Sequence, residues 1–119
     1  MHKTLVLGAS TNPGRYANRA IKLLRHYKHP VLAVGRQPGI VEDVTLLTSF
    51  PKNEQVDTVT LYLNPDHQKE YYQNILDLKP RRIIFNPGTE NEELKNLAEK
   101  SGIETEEACT LVLLNTGQY

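Results

Sequence analysis

Short apolar runs that stop at Gly or at Asn-Pro alternate along this chain with segments of helical period. That alternation constrains the fold more than any other feature. Thr4 to Leu7 reads as a buried strand. Tyr16 to Tyr27 follows as an amphipathic helix with Ala17, Ala20, Ile21, Leu24 and Tyr27 on one face. Pro30 then separates it from Val31-Leu32-Ala33-Val34, which ends at Gly35. Val41 to Leu47 holds a short third strand in a region broken up by Pro38-Gly39 and Pro51. Val56 to Leu63 is rich in β-branched residues and reads as the next strand. Asn64-Pro65-Asp66 supplies a helix start, and Tyr71, Tyr72, Ile75 and Leu76 carry the helical period. Arg82 to Phe85 is a further strand. Glu90, Glu92 and Glu93 suit a helix N-terminus. Leu94, Leu97 and Ala98 form that helix's inward face, and Gly102 its C-cap. Ile103-Glu104-Thr105 predicts a last edge strand, and Ala108 to Leu114 a final helix. Strands alternating with helices imply right-handed crossovers, so the expectation is an α/β doubly wound parallel sheet of about five strands. No repeat or linker interrupts it, and residues 1–119 read as a single domain.

Composition narrows the function. The 119 residues carry 14 Lys+Arg against 14 Asp+Glu, a balance without the electrostatic footprint of a nucleic-acid or acidic-membrane binder. The single cysteine, Cys109, excludes an internal disulfide framework and fits a reducing compartment. No apolar run is long enough for a membrane span, and Met1 to Thr4 leads into a strand without a signal-like segment, so the expected location is the cytoplasm.

Ligands of doubly wound sheets bind beyond the carboxyl ends of the strands, so the loops that follow each strand matter most. Leu5-Val6-Leu7-Gly8-Ala9-Ser10-Thr11-Asn12-Pro13-Gly14-Arg15-Tyr16 has the order strand, Gly turn, helix, which brings backbone N–H groups up to a phosphate. Gly8 permits close approach, Ser10 and Thr11 offer hydroxyls, and Arg15 offers a guanidinium. The turn is not G-x-G-x-x-G, so it does not choose the nucleotide. The second strand ends in Gly35-Arg36. An NAD site wants an acid there, whereas an Arg suits a phosphorylated ribose, as in NADP or coenzyme A. It is read equally well as a solvated surface cation. Each remaining loop, taken alone, is explained by turn chemistry. No catalytic or metal-binding constellation stands out. Of His2, His26, His29 and His67, His67 alone falls near a ligand-edge loop. Cys109 has no base assigned to it and reads as structural. Tyr71 and Tyr72 read as packing residues, and the three glutamates as a solvated helix turn.

With these residues in view, the chain resembles the small single-domain CoA-binding proteins. Those are Rossmann-like domains similar to the CoA-binding domain of the succinyl-CoA synthetase α subunit. The resemblance rests on Val6 to Ser10 with Asn12-Pro13 and Arg15-Tyr16, on Val56 to Val59, on Phe85 to Glu93, and on Ala108 to Val112 through Thr116 to Tyr119. It implies a three-layer fold with CoA at the strand ends. The Gly8-Ala9-Ser10 turn and Arg15 would meet the phosphates, and Thr11, Asn12 and Tyr16 would belong to the same cofactor site. Gly35 and Arg36 would flank the adenosine. Leu63, Asn64 and Pro65, with Asn86, Pro87 and Gly88, would line the pantetheine path. Members often read Val-Asn-Pro and then Lys after the second strand, where this chain reads Val34-Gly35-Arg36-Gln37. The resemblance implies binding of CoA or an acyl-CoA without catalysis. NADP, in an oxidoreductase or its remnant, is the alternative ligand, and an interaction module with a vestigial pocket is a third reading. No nucleic-acid or membrane partner is expected, and a homodimer is left open.

Overall fold

The computed structural model describes residues 3–119, so Met1 and His2 lie outside the described residues. Strand β1 (Thr4–Ala9) is the centre of the sheet. From Leu5 to Leu7 its side chains alternate between two cores, as period-2 geometry requires, and a register shift between Leu7 and Ala9 turns Ala9 to the same core as Val6. Leu5 and Leu7 join one cluster with Val59, Leu61, Ile75, Ile83, Phe85 and Leu94. Val6 and Ala9 join the other with Ala17, Ile21, Leu24, Ala33 and Leu114. Helix α1 (Tyr16–His26) covers the second cluster, together with α5 (Thr110–Asn115) near the end of the chain. The first cluster is covered by α3 (Tyr72–Leu78) and α4 (Glu92–Lys100). The fold is therefore three-layered, with a mostly parallel sheet between two helical layers.

The remaining strands are β2 (Val31–Gly35), β3 (Gly39–Val41), β4 (Val44–Leu47), β5 (Thr58–Leu61), β6 (Arg82–Phe85) and β7 (Glu104–Glu107). Their order is β3-β4-β2-β1-β5-β6-β7, giving seven strands where about five are expected from the sequence. The single strand expected over Val41 to Leu47 is an antiparallel hairpin, β3 on β4, turning at Glu42 (φ 55°) and Asp43. Three residues are too few to show a strand period, and Glu-Asp lacks the usual hairpin-turn signature. The last strand also runs further than expected, to Glu107. It carries Glu on three of its four residues, which protects an exposed sheet edge from pairing with another chain. Tyr27, expected on the buried face of α1, follows the helix end and is 44% exposed.

All strands but β3 run parallel, so their carboxyl ends share one edge. From β1 the chain moves outward to β2 and the β3–β4 hairpin, then returns to the other side of β1 as β5. The switch in strand order lies beside β1, where a crevice opens in folds of this kind.

Candidate functional site

The loop after β1 is braced from within. Asn12 N–H donates to Ser10 Oγ (3.0 Å), Gly14 N–H to Asn12 Oδ1 (2.9 Å) and Arg15 N–H to the Asn12 carbonyl (3.0 Å). Buried Asn18 in α1 donates its amide to the Ser10 carbonyl at 3.0 Å. Its Oδ1 has no partner among the described residues, a cost accepted beneath a loop that is thereby fixed. Sequence reasoning gave no signal for Asn18, because it lies beside the apolar stripe of α1 and not on it.

Two glycines let this edge close up. Gly8 has φ +98°, and a Cβ there would lie 2.9 Å from the Tyr62 carbonyl carbon and 3.1 Å from Leu63 Cδ2. A Cβ on Gly35 would lie 2.3 Å from the Ala9 carbonyl oxygen. Gly8, Ala9 and Gly35 are thus fixed by packing between strand ends, and Thr11 Cγ2 rests over Gly39.

The start of α1 is the electrostatic feature of the edge. Arg15, at the N-cap, makes no capping bond, and the first turn holds no acid. The N–H groups of Tyr16, Ala17 and Asn18 have no side-chain acceptor among the described residues. They form the positive end of an 11-residue helix. Thr11, Asn12, Arg15 and Tyr16 are exposed around it, Tyr16 at 65%. Arg19 lies over the Tyr16 ring at 5.4 Å. Beyond β2, exposed Arg36 reaches across the end of β1 to His67, its Nη2 lying 3.0 Å from Nδ1.

The later loops are built differently. Asn64 Oδ1 accepts from His67 N–H (3.1 Å) and caps α2 (Pro65–Gln68), with Pro65 in its first turn. Leu63 is half-buried, and its carbonyl accepts from Gln68 Nε2 at 2.8 Å. Gln68 is fully buried and also donates to the Thr89 carbonyl (2.8 Å), while its Oε1 accepts from Asn91 (2.9 Å). It therefore ties the loop after β5 to the loop after β6. The sequence did hold a signal for it: 68, 71, 72 and 75 share the inward stripe of the helical segment. Asn91 also donates to Tyr72 Oη (2.8 Å) and caps α4 through Leu94 N–H (3.2 Å). Burial pushes the Tyr72 phenol up, and so does Glu93, which accepts its proton at 3.0 Å.

Asn86 is buried, and both its polar atoms are occupied. Nδ2 donates to Thr60 Oγ1 (2.6 Å) and the Leu61 carbonyl (2.8 Å), and Oδ1 accepts from Thr110 N–H (2.9 Å). The amide fastens the start of α5 to β5, so Asn86 stands at the edge without a free side-chain group. Pro87 and Gly88 are exposed, and Gly88 N–H donates to Glu90 Oε1 at 2.8 Å. Half-buried Cys109 precedes α5. Tyr62 lies nearby, and burial pushes its phenol up to about 12. No group of three or more His, Cys, Asp or Glu among the described residues is placed to hold a metal. No helix among them is long and apolar enough to cross a membrane.

A second concavity, a groove of about 910 Å³, runs between α1, the Glu42-Asp43 turn and α5. Its Arg25 is held by Asp43 (Nε to Oδ1 2.8 Å, Nη2 to Oδ2 2.8 Å), a hydrogen bond that keeps the Asp43 carboxyl below its usual range. Glu42, Arg19, Lys22 and His26 also line it, so the groove carries charges of both signs.

A family model described as CoA binding domain matches residues 2–115. The chain belongs to this CoA-binding family. A crystal structure of an uncharacterized protein is 49% identical, with TM-score 0.96 over 100% of this chain and 98% of that one. The structure of cell-free ID.343 from Thermus thermophilus is 22% identical, with TM-score 0.87 over 99% of this chain and 90% of that one. The dinucleotide-forming acetyl-coenzyme A synthetase 1 of Ca. Korarchaeum cryptofilum, in complex with phosphate and ADP, is 16% identical. Its TM-score is 0.71, over 89% of this chain and 25% of that one, a likeness of fold alone. A search of curated proteins found no match. A Rossmann-like CoA-binding domain is thus the frame within which the loops acquire their roles.

Proposed function

We propose that this chain binds CoA or an acyl-CoA at the carboxyl edge of the sheet and catalyses no reaction by itself. The observation that carries this reading is the uncapped, acid-free N-terminus of α1, ringed by Arg15 and the braced loop from Ser10 to Gly14. Such an end offers N–H donors and a positive dipole to phosphate oxygens. The CoA diphosphate would lie there, and Arg36 would meet the phosphorylated ribose. The pantetheine arm would leave along Leu63 to Pro65, towards Asn86 to Gly88. The capping of α2 and α4 and the occupied amide of Asn86 leave that path with few free donors, which suits a largely neutral arm. CoA would supply the thiol. The chain's own part is to hold the phosphates and orient the arm.

Native mass spectrometry of the purified protein, followed by thermal shift with CoA, acetyl-CoA and NADP, tests the reading. A ligand that binds only the folded state raises the melting point. The expected result is a shift with CoA larger than with NADP. NADP is the second ligand because Arg36 at the end of β2 serves a 2′-phosphate as well as it serves CoA. A shift with NADP alone, or with neither, overturns the proposal.

A further inference from the structure

Arg36 and His67 meet across the end of β1. Arg36 follows β2, His67 lies in α2 after β5, and β1 stands between them. Arg36 Nη2 is 3.0 Å from Nδ1 and 3.2 Å from Nε2 of His67. A hydrogen bond along one nitrogen's lone pair lies in the ring plane and leaves the other nitrogen out of reach. Near-equal distances to both therefore place the guanidinium nitrogen over the ring face, which is how arginine stacks on flat side chains. Both side chains are exposed, so the stack stands at the surface of the edge. Tyr71 lies in the short 3₁₀ turn after α2 (Lys69–Tyr71), close enough to Arg36 to feel its charge. Its ring packs against Phe50, from the loop after β4, at 5.9 Å between centroids. Loops after three parallel strands thus bring flat groups together at one place on the carboxyl edge.

Helix α2 sends two consecutive side chains in different directions. Gln68 turns to the loop after β6 through the Thr89 carbonyl, and His67 turns to the loop after β2. On the CoA reading, the first is the pantetheine end of the edge and the second is the adenosine end. Resting on that reading, we propose that the His67 ring, held by Arg36, is the platform on which the ligand's adenine base stacks. Arg36 covers one face of the exposed ring, and the base takes the other. A purine offers a π face to an aromatic ring whatever hydrogen bonds it makes elsewhere. The contact with Arg36 orients the ring before the ligand arrives, so less side-chain freedom is lost on binding. His67 is then a specificity-determining residue for the nucleotide half of the ligand, with no part in holding the pantetheine arm.

The test is calorimetric titration with CoA and with adenosine 3′,5′-bisphosphate, its nucleotide half, on the natural protein, His67→Ala and His67→Phe. Phenylalanine keeps a flat ring for Arg36 and for the base, and removes every hydrogen-bonding atom. His67→Ala is expected to weaken CoA and the bisphosphate by the same factor, roughly five- to a hundredfold, as when a stacked aromatic is cut back to alanine. His67→Phe is expected to bind both within about threefold of the natural protein, because its ring still stacks. The residue is exposed, so both free variants should melt with the natural protein. Unchanged CoA affinity in His67→Ala, a loss for CoA without one for the bisphosphate, or a loss in His67→Phe as large as in the alanine variant overturns this proposal and leaves the CoA reading standing. No CoA binding by the natural protein overturns both.

Discussion

After β1 the chain enters α1 with no capping bond from Arg15 and no acid in the first turn. After β6 it enters α4 with Asn91 bonded to Leu94 N–H and with Glu92 and Glu93 in the first turn. Both are strand–loop–helix units at one edge of one sheet. The α4 unit caps itself, since the Asn91 side chain accepts from Leu94 N–H and its dipole faces two carboxylates. The α1 unit is incomplete, with a braced loop, N–H groups that no side chain caps, and the exposed Arg15 beside them. Under the proposed CoA reading, the two units differ in what the helix start leaves unsatisfied, more than in the Gly, Asn or Pro of the loop.

The comparison breaks most visibly at Asn86. Asn86→Ala leaves Thr110 N–H and the Leu61 carbonyl without their buried partner. We expect a loss of about 3 kcal/mol or more in denaturant unfolding, because each unmet buried group costs ~1–3 kcal/mol. CoA affinity measured on the folded fraction should change little. Gly8→Ala strains both halves at once, since it imposes φ +98° on an alanine and drives its Cβ to 2.9 Å from the Tyr62 carbonyl carbon. A loss of about 2 kcal/mol is expected, with weakened CoA binding in the same preparation.

Arg15→Asp inverts the comparison by giving α1 the cap that α4 already has. Thermal and denaturant unfolding should show a gain of about 1 kcal/mol for the free protein, while CoA binding is lost to charge repulsion. Arg15→Ala should leave the free protein within ~0.5 kcal/mol, and weaken CoA by roughly ten- to a hundredfold in calorimetry, one charge-assisted bond being worth ~1.5–3 kcal/mol. A sharp fall in the melting point of the alanine variant would make Arg15 part of the scaffold.

The smallest effect concerns the polar layer beneath α5. Burial raises the phenols of Tyr62, to about 12, and of Tyr119 above the ordinary value of 10. The unfolded chain therefore ionises first. The stability contributed by these groups is complete below pH 10 and is lost as pH rises towards 12. Tyr62 Oη has no hydrogen-bond partner among the described residues. Tyr62→Phe should hence change stability at neutral pH by less than ~1 kcal/mol and remove part of the alkaline loss. Phenolate absorbance followed alongside unfolding checks both.

Much of this was legible in the sequence. Helical and strand periods located the parallel strands, because buried parallel strands are apolar throughout. Gly8 to Arg15 stood out because small residues cluster where a strand meets a helix. The β3–β4 hairpin was obscured by its three-residue strand and its Glu-Asp turn. Asn86 is the instructive residue. An asparagine after a strand looks the same whether its amide faces a ligand or the protein. Only the return of α5 to pack on the same layer as α1 decides that the amide holds Thr110 N–H. The Arg36–His67 contact was equally hidden, since it depends on β5 pairing with the far side of β1.

Backbone amide shifts on titration with CoA test the central claim most directly, because they report where the ligand sits. The largest changes are expected at residues 10–18 and at Arg36, with the amides of Glu93 and Leu94 at the start of α4 nearly unmoved. Changes confined to the Arg19, Lys22, His26 and Leu111 groove, or centred on α4, would contradict it.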